Sequence, residues 1–485
     1  MRARIVLGVN SGVVLALGLA LLCPLALSLL YGDGSWESFL IPAAVMIPLG
    51  AAGLWAIRLR GLGYVLERDV YLSVTLAWVL AAVLGGVPYL LEGTFQSLLD
   101  STFEGMSGFT TTGATLLPDI EAETPSLLFW RSMTQWLGGI GIVVLFVAVA
   151  PAIGAGAARL LGAEVSGLTE TRFTARIADT AKALLVIYAA LSVATALALL
   201  MVGMPLYDAV VHAFATVATG GFSPKTASIA FYDSLAVEAV LIVFMVLSGV
   251  TFALYYLIYT RKRFDTILDR EVVTYLGIIV GAIFFVWGVL VFEGSYGNSW
   301  GTALRDSAFT VTSIITTTGF VTADFDEWET GAKTALVLLM FVGGCAGSTA
   351  GGIKVIRIMV IFRTNFQELF HMVHPRAVTP LKIGDRIVTE RVRLAVLGLF
   401  AAWIAVFAQA TFLVALQEDL TMVSAATAVA TTLNVVGPGL DQVGAAENFG
   451  AVNAFGRFVL TGCMLLGRLE IFTALVLLSP SFWRR

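Results

Sequence analysis

The sequence predicts an all-α polytopic membrane protein. Two N-terminal transmembrane helices precede four copies of a helix, re-entrant segment, helix unit, set in pseudo-fourfold arrangement about one axis. Three observations carry this. First, 58% of the 485 residues are hydrophobic and only 13% are charged, against roughly 25% charged in a soluble domain. A water-soluble fold could not cover so much apolar surface. Second, apolar runs recur along the whole chain, which excludes a soluble enzyme and a single-span receptor. Third, four short segments share one residue register.

In chain order, Arg2 and Arg4 precede an apolar stretch from Ile5 to Tyr31. A signal peptide begins in the same way, but its apolar region is only about 7–15 residues long. At roughly 20 residues per bilayer crossing, this stretch reads as a retained first helix, and with 38–57 it forms a unit 1–69. Further apolar runs at 71–91, 126–152, 182–204, 235–260, 272–292, 334–363, 393–417 and 454–480 complete ten candidate spans. Shorter segments near 98–112, 206–219, 305–318 and 421–435 cannot cross and read as re-entrant half-helices. The units are then 70–155, 156–265, 266–390 and 391–485. Cys23, Cys345 and Cys463 are scattered through apolar sequence and give neither a disulfide framework nor a metal-ligand spacing.

The basic residues orient the layout. With a cytoplasmic N-terminus, all of the 29 Lys and Arg residues except Arg131, Lys225, Arg305, Lys333, Arg457 and Arg468 fall on or at the edge of the cytoplasmic side. Acids such as Glu92, Asp119, Glu123, Asp324, Asp326, Glu418 and Asp419 fall outside. Both termini are therefore expected in the cytoplasm.

The repeat is the most informative feature. Aligned on Gly113, Gly221, Gly319 and Gly437, the short segments carry Asp100, Asp208, Asp306 and Ser424 thirteen residues earlier. Such a side chain at a helix start can cap the orphan amides of the first turn, and a capping role is expected for all four. Each half-helix of about three turns then meets Thr-Thr-Gly or a variant. Glycine permits backbone angles that other residues resist and ends the helix in an extended strand. Non-helical backbone is tolerated at membrane depth only where it is buried in protein or lines a water-filled cavity. Four such strands about an axis present rings of carbonyls able to replace a cation's hydration shell, and the negative ends of the half-helices face the same cavity. A single Thr-Gly stretch would read as a helix-packing site; four in one register read as a pore.

Helix, pore loop, helix in four copies, with one glycine per strand, resembles the Trk/Ktr/HKT superfamily of potassium transporters. The stretches WRSMTQWLGGIGI (130–142), GGCAGSTAGGIK (343–354) and TTLNVVGPGL (431–440) are similar to the bacterial Trk-type membrane subunit. The resemblance covers essentially the whole chain. It implies K+ uptake across the bacterial cytoplasmic (inner) membrane through a gated channel-like pore. It also implies a homodimer, contact with membrane lipid, and a TrkA-like cytosolic regulatory subunit that carries the nucleotide. Its selectivity filter would comprise Thr111, Thr112 and Gly113; Thr219, Gly220 and Gly221; Thr317, Thr318 and Gly319; and Asn434, Val435, Val436 and Gly437. Gly113 stands where plant relatives that pass Na+ have serine, which suggests K+. In TGGF (219–222), Gly221 is chosen because it precedes Phe222 as Gly319 precedes Phe320, and Gly220 stays open as the alternative. No cofactor of the chain's own and no nucleic acid are expected, and no motif points to an ATPase.

The run 334–363 is interrupted by Gly343, Gly344, Gly347, Gly351 and Gly352. Each glycine costs roughly 1 kcal/mol against alanine inside a helix, so a broken helix is expected, a flexible or tightly packed one being the alternative. In the family it resembles, this segment, 343–352, is an intramembrane loop that obstructs the pore, with Ser348, Thr349 and Lys354 as small or polar members. Arg468 lies in an apolar helix, where a charge is costly and points to function. Its acceptors are expected among backbone carbonyls and the hydroxyls of Ser348 and Thr349. Arg457, about three turns earlier, shares its face. His371 and His374 fall in a basic linker, 364–392, and read as solvated residues. The residues leave open a second class, an ion-coupled secondary transporter carrying K+ with H+ or Na+, and a Na+-permeable member of the same superfamily.

Overall fold

The computed structural model describes residues 3–58, 67–141, 177–261, 269–294, 296–377, 379–384 and 386–484. The end of the run 126–152, the stretch 156–176 that opens the second unit, and Arg60, Lys262 and Arg263 lie outside the described residues. Most of what is described is helix.

The chain begins with α1 (Ala3–Ala20) and α2 (Leu22–Tyr31), which together make one apolar span of 29 residues. Then α3 (Trp36–Arg58) returns against α1. Glycine makes the close approach possible: a Cβ on Gly50 would stand 2.5 Å from the Leu15 amide nitrogen. The turn between α2 and α3 is tied to the first repeat by side chains. Asp33 accepts from Ser126 N (3.1 Å) and Ser126 Oγ (2.7 Å), and Ser38 Oγ donates to Glu92 Oε2 (2.6 Å).

Each later unit has a first helix, a short buried helix and a second helix. In the first unit these are α4 (Glu67–Glu92), α5 (Leu98–Phe109) and α6 (125–141). The second has α7 (Ile177–Met201), α8 (Leu206–Ala218), α9 (Leu235–Ser248) and α10 (Phe252–Arg261). The third has α11 (Arg270–Glu293), α12 (Trp300–Ile315), α13 (Thr330–Met340) and α14 (Val355–Val373). After β1 (Lys382–Ile383), paired antiparallel with β2 (Arg386–Ile387), the fourth has α15 (Glu390–Val414), α16 (Met422–Asn434), α17 (Ala454–Arg468) and α18 (Phe472–Leu475). A last short helix is α19 (Pro480–Trp483).

Six spans of the expected ten are long, apolar, continuous helices. The runs 235–260 and 454–480, expected as straight spans, are each broken in two, by 88° between α9 and α10 and by 111° between α17 and α18. The second break runs through Glu470 (φ 55°) and Ile471 (φ 57°), left-handed values that a β-branched residue adopts only under tertiary constraint. The run 334–363 is helix, loop and helix, as its glycines require. The stretch 364–373, expected as linker, is the end of α14. There, Phe370 stacks on His374 with ring centroids 4.6 Å apart. Cys345 and Cys463 are buried free thiols, and Cys23 is exposed.

The capping role expected for the register residues is not what the structure shows. Ser97, Pro205, Ser299 and Thr421 occupy the N-cap positions of α5, α8, α12 and α16. Asp100 instead accepts from Arg457 Nη1 (2.7 Å), Asp208 from the Tyr232 hydroxyl (2.7 Å) and Asp306 from the Tyr296 hydroxyl (2.8 Å), while Ser424 donates to Asp441 (2.9 Å). The shared register therefore fastens each short helix to neighbouring structure. Asp100, Asp208 and Ser424 stand three residues after the N-cap and Asp306 seven, so none occupies the capping position and each pairs with a side chain the fold supplies.

Candidate functional site

The four short helices end in the same way. Residues Thr111, Thr219, Thr317 and Val435 all have φ between 54° and 61°. The next amide closes back over five residues: Thr112 N to Ser107 O, Gly220 N to Ala215 O, Thr318 N to Ser313 O and Val436 N to Thr431 O, each 2.8 Å. This six-to-one bond is the helix-end closure that normally carries glycine in the left-handed position. Here β-branched residues take it, at a cost of about 1–2 kcal/mol each. Sequence reasoning placed these four residues in the filter but assigned the special backbone to the glycines alone, because threonine and valine carry no propensity for that conformation.

Gly113, Gly221, Gly319 and Gly437 follow with φ of 83°, 78°, 80° and 105°. Their packing is cyclic. A Cβ on Gly113 would stand 2.3 Å from Gly220 O, one on Gly221 2.0 Å from Thr318 O, one on Gly319 2.1 Å from Val436 O, and one on Gly437 2.8 Å from Thr112 O. Each glycine thus abuts the carbonyl of the next unit, and the fourth closes on the first. This ordering assigns Gly221, not Gly220, to the ring. Asn434 ends α16, and its side chain donates to Ala430 O (2.8 Å), so it belongs to the helix end and not to the strand that follows.

Polar side chains brace these strands from behind. Buried Glu104 accepts from Thr115 Oγ1 (2.9 Å), Leu116 N (3.0 Å) and Arg131 Nε (2.8 Å). Arg131 also donates to Ser223 O (3.1 Å) and lies over the Phe222 ring at 3.6 Å, joining the first strand to the second. Gln135 contacts both sides of Gly221. Beyond the strands, hydroxyl donors Thr421 and Ser424 hold the Asp441 carboxyl below the usual range, and burial pushes Asp326 up. Sequence reasoning quoted the stretch holding Arg131 and Gln135 without giving either a role.

The glycine-rich stretch 341–354 is a loop folded on itself, with Val342 and Ile353 bridged in parallel. Gly343 and Gly351 approach so closely that a Cβ on the first would meet Gly351 O at 2.1 Å. Gly347 and Gly352 have positive φ. Gly344 accepts from Val355 N through its carbonyl (3.1 Å). The loop docks on the break of the second unit, where Cys345 N donates to Gly249 O (2.9 Å) and Thr251 Oγ1 to Ala346 O (2.7 Å). It meets the ends of two short helices: Gly351 N donates to Thr317 Oγ1 (2.6 Å), and a Cβ on Gly351 would stand 2.5 Å from Asn434 O. Lys354 Nζ donates to Ala350 O (2.5 Å), and Ser348 Oγ to Cys345 O (2.7 Å).

Arg468 is buried at the end of α17. Its guanidinium donates to Thr349 O (2.8 Å) and Gly138 O (3.2 Å). The acceptors are carbonyls, as expected, but not the hydroxyls of Ser348 and Thr349; Thr349 Oγ1 lies against Val217 O (3.0 Å) instead. Arg457 is engaged elsewhere, by Asp100, Val452 O and Gly450 O. Through Thr349 and Gly351 the loop touches the second, third and fourth units, and Arg468 links it onward to Gly138 of the first.

A chain of apolar helices with four re-entrant strands closed into a ring is an integral membrane transport fold. The profile of the TrkH family, described as cation transport protein, matches residues 39–485, and the chain belongs to that family, whose members are transporters and not enzymes. It is 38% identical to the Trk system potassium uptake protein TrkH of Salmonella typhimurium over 467 residues, 96% of each chain. It is 37% identical to the protein of the same description from Halomonas elongata over the whole of both chains. The crystal structure of the potassium transporter TrkH from Vibrio parahaemolyticus superimposes with a TM-score of 0.90 at 36% identity, covering both chains completely.

Proposed function

We propose that this protein takes K+ into a bacterial cell across the cytoplasmic membrane, through the ring closed by Gly113, Gly221, Gly319 and Gly437. The observation that carries the reading is the cyclic contact of four strands with one backbone conformation, in which the carbonyls of Thr112, Gly220, Thr318 and Val436 each lie against the ring glycine of another unit. Such carbonyls replace a cation's hydration shell. The relatives named as potassium uptake proteins support K+ as the ion. Units 70–155, 156–265, 266–390 and 391–485 each contribute one strand, and both termini face the cytoplasm.

The loop 343–352, with Lys354 and Arg468, is the gate. It lies against the base of two strands, and the fixed charge of Arg468 is held beside it. The chain binds no nucleotide of its own in this reading. A cytosolic nucleotide-binding subunit biases the gate from the inner face, and two copies of the chain form a homodimer among lipids. The test is tracer uptake into proteoliposomes holding the purified chain, together with growth rescue of a bacterium lacking K+ uptake. Rapid isotope exchange without a co-substrate is expected; exchange that needs a co-substrate defeats the pore reading.

A further inference from the structure

The second strand differs from the others at one position. Preceding the ring glycine stand Thr112, Thr318 and Val436 in three units, but Gly220 in the second. In the first and third units this side chain is held locally, Thr110 Oγ1 to Thr112 Oγ1 and Thr316 Oγ1 to Thr318 Oγ1, both 2.8 Å. In the second, the space is filled from another unit. A Cβ on Gly220 would stand 2.4 Å from Gln135 Cδ. Gln135, fully buried on α6, donates from Nε2 to Gly220 O (2.6 Å) and accepts at Oε1 from Phe222 N (3.0 Å). One partner can only accept and the other only donate, so both fix the same amide orientation.

We propose that Gln135 is a specificity-positioning residue, which replaces the missing side chain at Gly220 and sets the direction and strength of one carbonyl in the ring. Gly220 O is also the atom that a Cβ on Gly113 would strike at 2.3 Å. Its lone pairs are shared between Gln135 and the path, unlike those of its three counterparts, for which no side-chain donor is found among the described residues. The ring is therefore asymmetric, and Gln135 contributes to which cation it fits. The double glycine is explained by the same packing: it makes room for the amide.

This inference rests on the ring being the K+ filter, and the experiment separates the two. K+/Na+ flux ratios are measured in proteoliposomes for the parent and for Gln135→Met, which fills the space without hydrogen bonding, with Gly113→Ser as the reference. Loss of one such bond predicts a ratio lowered about fivefold in Gln135→Met. A ratio moved by Gly113→Ser but unchanged in Gln135→Met overturns the role of Gln135; a ratio unchanged in both overturns the filter reading itself. A second cycle does not depend on that variant. Gly220→Ala should lower K+ flux about tenfold with Gln135 present and be nearly silent with Gln135→Ala, the coupling expected of residues in contact. Equal losses in both backgrounds also overturn the proposal. The ratio is independent of how much protein folds, so a purely structural role would not move it.

Discussion

A single added carbon at Gly113 would stand 2.3 Å from Gly220 O, closer than real Cβ contacts allow, and at φ 83° any side chain is strained. Gly113→Ser therefore has to displace that carbonyl. The expected outcome is a K+/Na+ preference lowered about tenfold, equivalent to about 1.4 kcal/mol, read as a flux ratio; an unchanged ratio in folded protein removes Gly113 from the ring. Arg468 makes a different argument. Its guanidinium keeps its charge and has donors only, and it grips the loop through Thr349 O. A cation passing at about 4 Å in an effective dielectric of about 20 meets roughly 4 kcal/mol of repulsion. Arg468→Ala is expected to raise basal K+ flux and weaken its dependence on a regulatory partner. It also removes the guanidinium donor from Thr349 O, at about 1–3 kcal/mol, so thermal stability falls with it. Tracer uptake normalised to folded protein decides, and unchanged or lower basal flux leaves Arg468 a structural residue.

At the scale of elements, the loop and the two broken helices form one assembly. The glycines of the loop are not equivalent. Gly347 meets only Thr251 Cγ2, at 3.4 Å, whereas side chains at Gly343 and Gly351 would run into backbone at 2.1 and 2.5 Å. Gly347→Ala should thus be mild, near the 1 kcal/mol of a left-handed alanine, while Gly343→Ala and Gly351→Ala unseat the loop and change flux severalfold. None should alter the K+/Na+ ratio, since the loop acts beneath the ring; a selective loss of discrimination places it within the filter instead. The bend between α17 and α18 is linked to the loop's far end by Arg357 Nη2 and Glu470 Oε2, 2.5 Å apart. Glu470→Gln and Arg357→Gln together should cost less than the sum of each alone, by about 1 kcal/mol, in a thermal-stability cycle.

Across the whole molecule, no unit forms the ring alone, since each glycine abuts the next unit's carbonyl and the fourth abuts the first. The N-terminal helices lie outside this circle and are fastened to it by the turn at Asp33. Burial raises the Asp33 carboxyl, but donors from Ser28, Ser126 and two backbone amides outweigh it and hold the group below its ordinary value. A carboxylate with a lowered folded pKa stabilises fully above its unfolded pKa, about 4, and loses that contribution as pH falls through the folded value. Asp33→Asn is therefore expected to lower the melting temperature at neutral pH and to lessen the further loss on acidification below about pH 4. Parallel melting curves against pH for parent and variant that keep a constant offset throughout would rule out this anchor.

What the sequence determined by itself was periodic or compositional: the apolar runs, the four short segments, the glycine register and the interruption at 343–352. These signals are local, because a helix too short to cross or a glycine cluster within an apolar run violates rules that hold within one turn or one bilayer thickness. Tertiary structure alone decided which groups meet. Arg468 finds Gly138 O across 330 positions and Arg457 finds Asp100 across 357, so no spacing foretells either pair. The aspartates in register read as caps because capping is the local use of a carboxylate, and the fold gave them distant partners instead. The breaks in α9–α10 and α17–α18 were invisible for a related reason: each lies inside an uninterrupted apolar run, which reads as one span, and the loop docks at the first through Gly249 and Thr251. Gln135 belongs to the same class, since its role depends on the side chain that Gly220 lacks, 85 positions away.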